Sequence, residues 1–217
     1  LLFLSVFITG ERAAFIHLIM FFMFFFIFSN LKKKLLIFFS MILILILAVS
    51  FISTQDKLKK HRMLLSPISA LKNGHFSPMH ESHYLTGLNM YKDKFIIGHG
   101  PKAFRFFCGD EKYRQGSYPC SNHPHNTYIQ LLAETGTMGF LIIFSIFISL
   151  CLLLFKNFFI RFKNKKNYLS NSKIAIISGL LIYLWPISPH GNFFNNWLSG
   201  LLFFQLSIHF YLFYQKP

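Results

Sequence analysis

Acidic residues are scarce in this 217-residue chain: 7 Asp and Glu stand against 22 Lys and Arg, and charged residues make up only 13%. Soluble domains carry roughly 25% charge, so a water-facing surface is excluded over much of the length. Cysteine is scarce too, at 3 residues, which excludes a small fold stapled by disulfides. Polarity sufficient for disorder is missing, because 53% of the residues are apolar and Phe alone occurs 30 times. The formal charge of +15 suggests nucleic acid only until its placement is read. Apolar residues run in blocks about as long as a bilayer is thick, and basic residues punctuate them, which is the pattern of a polytopic membrane protein. The chain starts at Leu1 inside an apolar run, as the C-terminal part of something longer would.

Five blocks, 13–29, 35–53, 137–155, 174–188 and 197–214, are apolar. A shorter run at 1–9, cut by Gly10-Glu11-Arg12, reads as the tail of a truncated span. Lys and Arg in short connections mark the cytoplasmic side, which assigns that side to Lys32–Lys34, to the basic turn from Lys156 to Lys173 and to the tail at Lys216. The Gly10–Arg12 interruption, the long segment 54–125 and the short loop 186–196 then share the outer face. Tyr183, Trp185 and Trp197 fall near outer boundaries, where interfacial aromatics belong. The expectation is an all-α integral membrane protein, a multi-span helical bundle with a large outer loop. It divides into membrane spans 1–53, a loop domain 54–125 and C-terminal spans 126–217. A transporter or channel would distribute polar residues through several spans; here polarity concentrates outside them.

The outer loop holds 11 Lys and Arg against 5 acids, which suits either a solvated face near anionic lipid or a docking surface for a phosphorylated, membrane-borne substrate. Seven of the 10 His lie there: His61, His75, His80, His83, His99, His123 and His125. Cys120, His123 and His125, with Cys108, have the residue types of a zinc site. On an outer, oxidising face the two thiols are expected instead to pair with each other, and no metal is expected. The stretch His123-Pro124-His125-Asn126 sits where loop becomes helix, with Pro124 suited to the first helical position. Asn126, Gln130 and Glu134 follow at i, i+4 steps as one polar stripe. The helix N-terminus there is a natural phosphate seat, and its positive field keeps His125 neutral and able to accept a proton. Glu134 and Arg12 lie near membrane ends, where an unpaired charge at full depth costs roughly 2.5–3.5 kcal/mol, so they pair or line a polar cavity. Gly136 and Gly139 permit close helix approach.

The run from His123 to Gly139, HPHNTYIQLLAETGTMG, resembles the signature of the O-antigen ligase and polymerase family of bacterial inner membranes. The segment Ile97-Gly98-His99-Gly100-Pro101-Lys102-Ala103-Phe104-Arg105 resembles the family's glycine-containing loop, and Thr9-Gly10-Glu11-Arg12 its span-terminal Thr-Gly-Ser-Arg pattern. The resemblance implies an inverting, metal-independent glycosyltransferase of GT-C type, without cofactor, in the inner (cytoplasmic) membrane with segment 54–125 periplasmic. Its donor would be a glycan on a polyprenyl diphosphate, and its acceptor the lipid A–core or a growing glycan. Transfer to protein is a related variant. His125 would be the catalytic base, and Arg12 would hold the diphosphate as charge builds on the leaving group. Arg105, His123, Asn126, His80, His83 and Glu134 are the expected substrate-binding residues. The family's Arg upstream of the Gly-x-Gly is absent here, where the chain reads His80-Glu81-Ser82-His83-Tyr84. His80, His83 or Arg62 would have to stand in. Phe95 occupies the place of the family's Pro, and Glu11 that of its Ser.

Overall fold

A computed structural model of the chain describes residues 5–6, 9–55, 61, 68–69, 72, 77–164 and 168–214. Most of the run 1–9, the residues Asp56, Lys57, Lys59, Lys60, Arg62 and His75, the residues 165–167 and the tail lysine Lys216 lie outside them. Among the described residues there is no strand. The apolar blocks are helical, except that the fourth stops being helical after Tyr183: α1 (Arg12–Phe28) and α2 (Lys34–Gln55) come first, and two helices of segment 54–125 follow, α3 (Pro78–Asp93) and the single turn α4 (Phe104–Phe107). The chain then continues through α5 (Thr127–Asn164), α6 (Asn171–Tyr183) and α7 (Asn196–Tyr214). Helices satisfy their own backbone groups, as an apolar surround demands. By length and composition, α5 and α7 are able to cross a membrane. At 13 residues, α6 spans only ~20 Å, less than a bilayer core.

The basic cluster expected in a turn after residue 155 is a correction: α5 runs on to Asn164, so Lys156, Arg161 and Lys163 ride on its last turns. Lys and Arg are good helix formers and suit the negative end of the helix dipole.

The chain divides into two compact bodies, Leu1–His75 with Lys156–Ser178, and Phe76–Phe155 with Gly179–Pro217. In the first, α1 carries a ladder of phenylalanines at i, i+4, with Phe21 on Phe25 and Phe22 on Phe26 at 6.2 and 5.9 Å between ring centres. It ends at Ser29, whose extended backbone leaves the last carbonyls without helical donors. Arg161 supplies donors: its guanidinium gives hydrogen bonds to the carbonyls of Ile27, Phe28 and Ser29 at 2.8–2.9 Å. Asn157 adds a bond to the Phe28 carbonyl at 3.2 Å and accepts one from the Leu169 N–H at 2.9 Å.

In the second body, α5 is broken at Gly136 (φ 65°, ψ −164°). The glycine is not there for helix approach, as its sequence context suggested. A Cβ on it would lie 2.3 Å from the Ile96 carbonyl oxygen, because segment 95–100 inserts into the helix's hydrogen-bond ladder. In an unbroken helix the N–H groups of Thr137 and Met138 would bond to the carbonyls of Ala133 and Glu134. Here those N–H groups bond to Phe95 and Ile96, at 2.8 and 3.3 Å, and the two carbonyls accept from His99 and Gly100, at 3.0 and 2.8 Å. Gly98 (φ 67°) makes the matching close approach, since a Cβ there would lie 2.4 Å from the Glu134 carbonyl carbon. A side chain at either glycine would collide with backbone in a conformation that L residues avoid.

Candidate functional site

Helix α3 starts at Ser77, whose hydroxyl caps the His80 N–H, with Pro78 in the first turn and the Ser77 N–H returning to Glu81. This sets His80 and His83 one turn apart on one face. The ring of His80 is held by the Ser77 Oγ at 2.9 Å. His83 is buried, its edge against Phe104. Phe104, Met90, Cys108, Tyr113 and Ala133 form the small core under α3 and α4. Cys108 and Cys120 are joined by a disulfide, Cα–Cα 5.0 Å, which anchors the start of segment 120–126 to that core.

His125 occupies left-handed backbone (φ 57°), a cost of order 1–3 kcal/mol for a residue with a side chain. Its carbonyl accepts from the His190 N–H at 2.9 Å, which ties the turn to segment 184–195. The result is a four-histidine cluster centred on His125. His83 stacks on it at 5.3 Å, His80 meets it edge-on at 5.4 Å, and His123 lies 4.2 Å away. The Nε2 of His125 faces the Ser121 hydroxyl at 3.3 Å. Burial, and then the fields of His123, His80 and His83, push the His125 imidazole down to about 4. His123 and His83 are lowered as well, chiefly by burial. His125, His123 and His83 are therefore uncharged at neutral pH. The His123 Nε2 faces the His190 carbonyl at 3.1 Å. Its Nδ1 faces the Asn122 Oδ1, 2.6 Å away, so a neutral His123 ring donates to one of these two oxygens. With both thiols joined to each other, the sequence-level set of Cys108, Cys120, His123 and His125 does not exist as four zinc ligands.

The polar stripe on α5 is present but buried. Asn126, not Pro124, is the helix cap: its Oδ1 accepts from the N–H groups of Tyr128 and Ile129 at 3.0 and 3.1 Å. Its Nδ2 donates to the Pro186 carbonyl at 2.7 Å. The expectation of Pro124 as first helical residue fails because Asn is the better cap and His125 is left-handed. Gln130, fully buried, donates to Glu134 and Asn192 and accepts from the Phe193 N–H. Glu134 has no exposed surface, and its oxygens accept from the N–H groups of Lys102 and Phe104 at 2.9 and 3.0 Å. The stripe thus bolts two further segments, 100–104 and 190–193, to one helix.

Beside the cluster is an open cavity of about 390 Å³. Lys102 and Arg105 supply its cations, and Lys102, like His125, is left-handed (φ 63°). Four amides, Asn122, Asn192, Asn195 and Asn196, make up the polar wall, and Trp197, 85% exposed, completes it. No carboxylate lines it among the described residues. Asn122 belongs to both places, touching His123 and lining the cavity.

Of the sequence-identified residues, the structure brings together His80, His83, His123 and His125, sets Arg105 at the cavity, and makes Asn126 and Glu134 internal ties. His99 lies elsewhere, in the small core, with its Nε2 3.0 Å from the Met90 carbonyl. Arg12 is in the first body, exposed in the opening turn of α1, which contains no acidic residue. Sequence reasoning missed Ser121, Lys102 and the wall of asparagines with Trp197. The Asn195-Asn196-Trp197 run was the available signal, and it was read only as a membrane boundary.

Compared with known proteins, the chain matches the family model described as O-antigen ligase over residues 1–144. No curated protein and no solved structure matches it.

Proposed function

The chain belongs to the O-antigen ligase family, and from that premise we propose that it transfers a glycan from a polyprenyl diphosphate to a saccharide hydroxyl of lipid A–core. The observation that carries this reading is the uncharged imidazole of His125, held in strained backbone at the centre of three other histidines. A base must be unprotonated before reaction. In this reading His125 takes the proton from the acceptor hydroxyl as that oxygen attacks the anomeric carbon. The bond from that carbon to the diphosphate oxygen breaks on the opposite face, so the configuration inverts and the diphosphate leaves with the bonding electrons. The arriving diphosphate raises the basicity of His125 through its negative charge.

Arg12 is assigned to the diphosphate, because its planar fork matches phosphate oxygens and its exposed position in the first turn of a helix adds N–H donors and dipole. Arg105 is a further substrate-binding cation, at the cavity. His80, His83 and His123 hold His125 in orientation and keep it neutral. Asn126 and Glu134 are positioning residues, since their polar atoms are spent on backbone. The reaction is proposed to need no metal or cofactor, as the family resemblance implies. The membrane is the bacterial inner membrane, crossed by several helices, and segment 54–125 faces the periplasm.

His125→Ala should abolish transfer while leaving membrane insertion and amount of protein unchanged, as read by glycolipid profiling of a deletion strain complemented with each form. Normal glycan on lipid A–core in the variant refutes the assignment. The same profiling separates ligase from polymerase: loss of all capped core marks a ligase, and a single repeat unit per core marks a polymerase.

A further inference from the structure

The cavity beside the histidine cluster has a chemistry that proton abstraction does not use. Lys102 and Arg105 enter it, and among the described residues neither is ion-paired to a carboxylate there. Two cations facing a concave, acid-free wall form an anion site, and Arg adds bidentate geometry. The strained backbone at Lys102 persists because its N–H is held by the buried carboxylate of Glu134, and strain maintained in this way marks a site that needs its geometry.

The amides add a second requirement. Asn195 spends its Oδ1 on the N–H groups of Trp197 and Leu198, which fixes the start of α7 and with it Asn196 and Trp197. Asn192 spends its Oδ1 on Gln130 and Phe194, so its Nδ2 remains as a donor. Amides whose Nδ2 groups remain to donate suit the oxygens of sugar hydroxyls, which accept. Trp197 presents a flat apolar face with an N–H at one edge, the shape that packs on the apolar face of a sugar ring. A membrane anchor alone would not need two cations and four amides around it.

We propose that this cavity is a saccharide-binding subsite that takes an anion-bearing sugar, with the ring on Trp197, hydroxyls on the asparagines and phosphate or carboxylate on Lys102 and Arg105. Asn122, shared with His123, puts the subsite one side chain from the cluster. The bound sugar is therefore the acceptor's, next to the hydroxyl that reacts. Only this last assignment, acceptor rather than donor, rests on the transfer reading above.

The sequence has two tryptophans, so Trp185→Phe leaves Trp197 as its sole indole reporter. In detergent, a delipidated, phosphorylated core oligosaccharide should quench Trp197 fluorescence saturably. Removing its phosphates, or combining Lys102→Ala with Arg105→Ala, should weaken binding by about tenfold or more, the loss expected for one or two charge-assisted hydrogen bonds. Polyprenyl diphosphate without glycan should not quench; if it does and the oligosaccharide does not, the anion is the donor's and the acceptor assignment falls. Quenching by neither probe overturns the subsite.

A kinetic readout stands beside it for the case in which Trp185→Phe fails to fold. Trp197→Ala should raise the KM for acceptor about tenfold at nearly constant kcat, and Trp197→Phe should restore part of it. Lost membrane insertion with unchanged KM would make Trp197 an anchor and end the proposal. His125→Ala keeps the quenching and loses transfer. Quenching intact with transfer also intact would sink the catalytic reading and leave the subsite standing.

Discussion

In the first body, α1 and the described part of α2 leave apolar side chains exposed to their surroundings, among them Ile16, Met23, Leu36, Phe39 and Leu43. One arginine and one asparagine supply the polar joint at the end of α1. In the second body, α5 has given up part of its own ladder to a loop, and a buried glutamate, glutamine and asparagine tie two further segments to it. The contrast separates two demands on a membrane protein. A helix that only has to lie in lipid needs apolar surface and closed ends. A helix that must present side chains for chemistry needs long-range polar ties, because dispersion alone does not fix an imidazole to within a fraction of an ångström.

If that contrast is real, damage to the second body's ties should be the more severe. Gly136→Ala places a methyl group against the Ile96 carbonyl in left-handed backbone, and should cost about 2–5 kcal/mol and remove transfer. Thermal unfolding in detergent reads the first effect and glycolipid profiling the second. A wild-type melting curve would mean that segment 95–100 is not inserted in the ladder.

The first body should tolerate its equivalent change better. Arg161→Ala removes three hydrogen bonds from a charged donor to partly exposed carbonyls, with an expected cost of about 1–2 kcal/mol. Arg161→Lys should recover only part of it, because an ammonium cannot reach three carbonyls with a planar fork. Equal losses for Arg161→Ala and Gly136→Ala would erase the distinction between the bodies.

The smallest effect sharpens the comparison through pH. The imidazole of His125 lies at about 4 in the folded chain against an ordinary value of 6.5, so between these values the unfolded chain binds the proton and the folded one does not. Stability should therefore fall as pH drops through 6.5 towards 4. His83 and His123, lowered in the same direction, add to the slope. His125→Phe should flatten it in pH-dependent melting curves. An unchanged slope would mean that the imidazole is not desolvated.

The helices were legible in the sequence because an apolar block of bilayer length leaves an unmistakable local trace, and the His-Pro-His-Asn motif because its residue types are rare together. The ties were not legible. The exchange at Gly136 joins residues some 40 positions apart, and Gln130 meets Asn192 across 62; neither pairing has a period for a sequence reader to find. Asn126 was legible as a polar position but not as the helix cap, since the left-handed turn at His125 decides where the helix starts. Trp197 was visible and read by its commonest role at a membrane boundary.

The loop inserted at Gly136 limits how substrates can be admitted. Swinging 95–100 aside as a hinged gate would leave two amide hydrogens and two carbonyl oxygens of α5 without their partners, each a penalty of about 1–3 kcal/mol where water cannot replace them. That segment is a fixed wall, and whatever entrance this enzyme opens must be made by other parts of the chain.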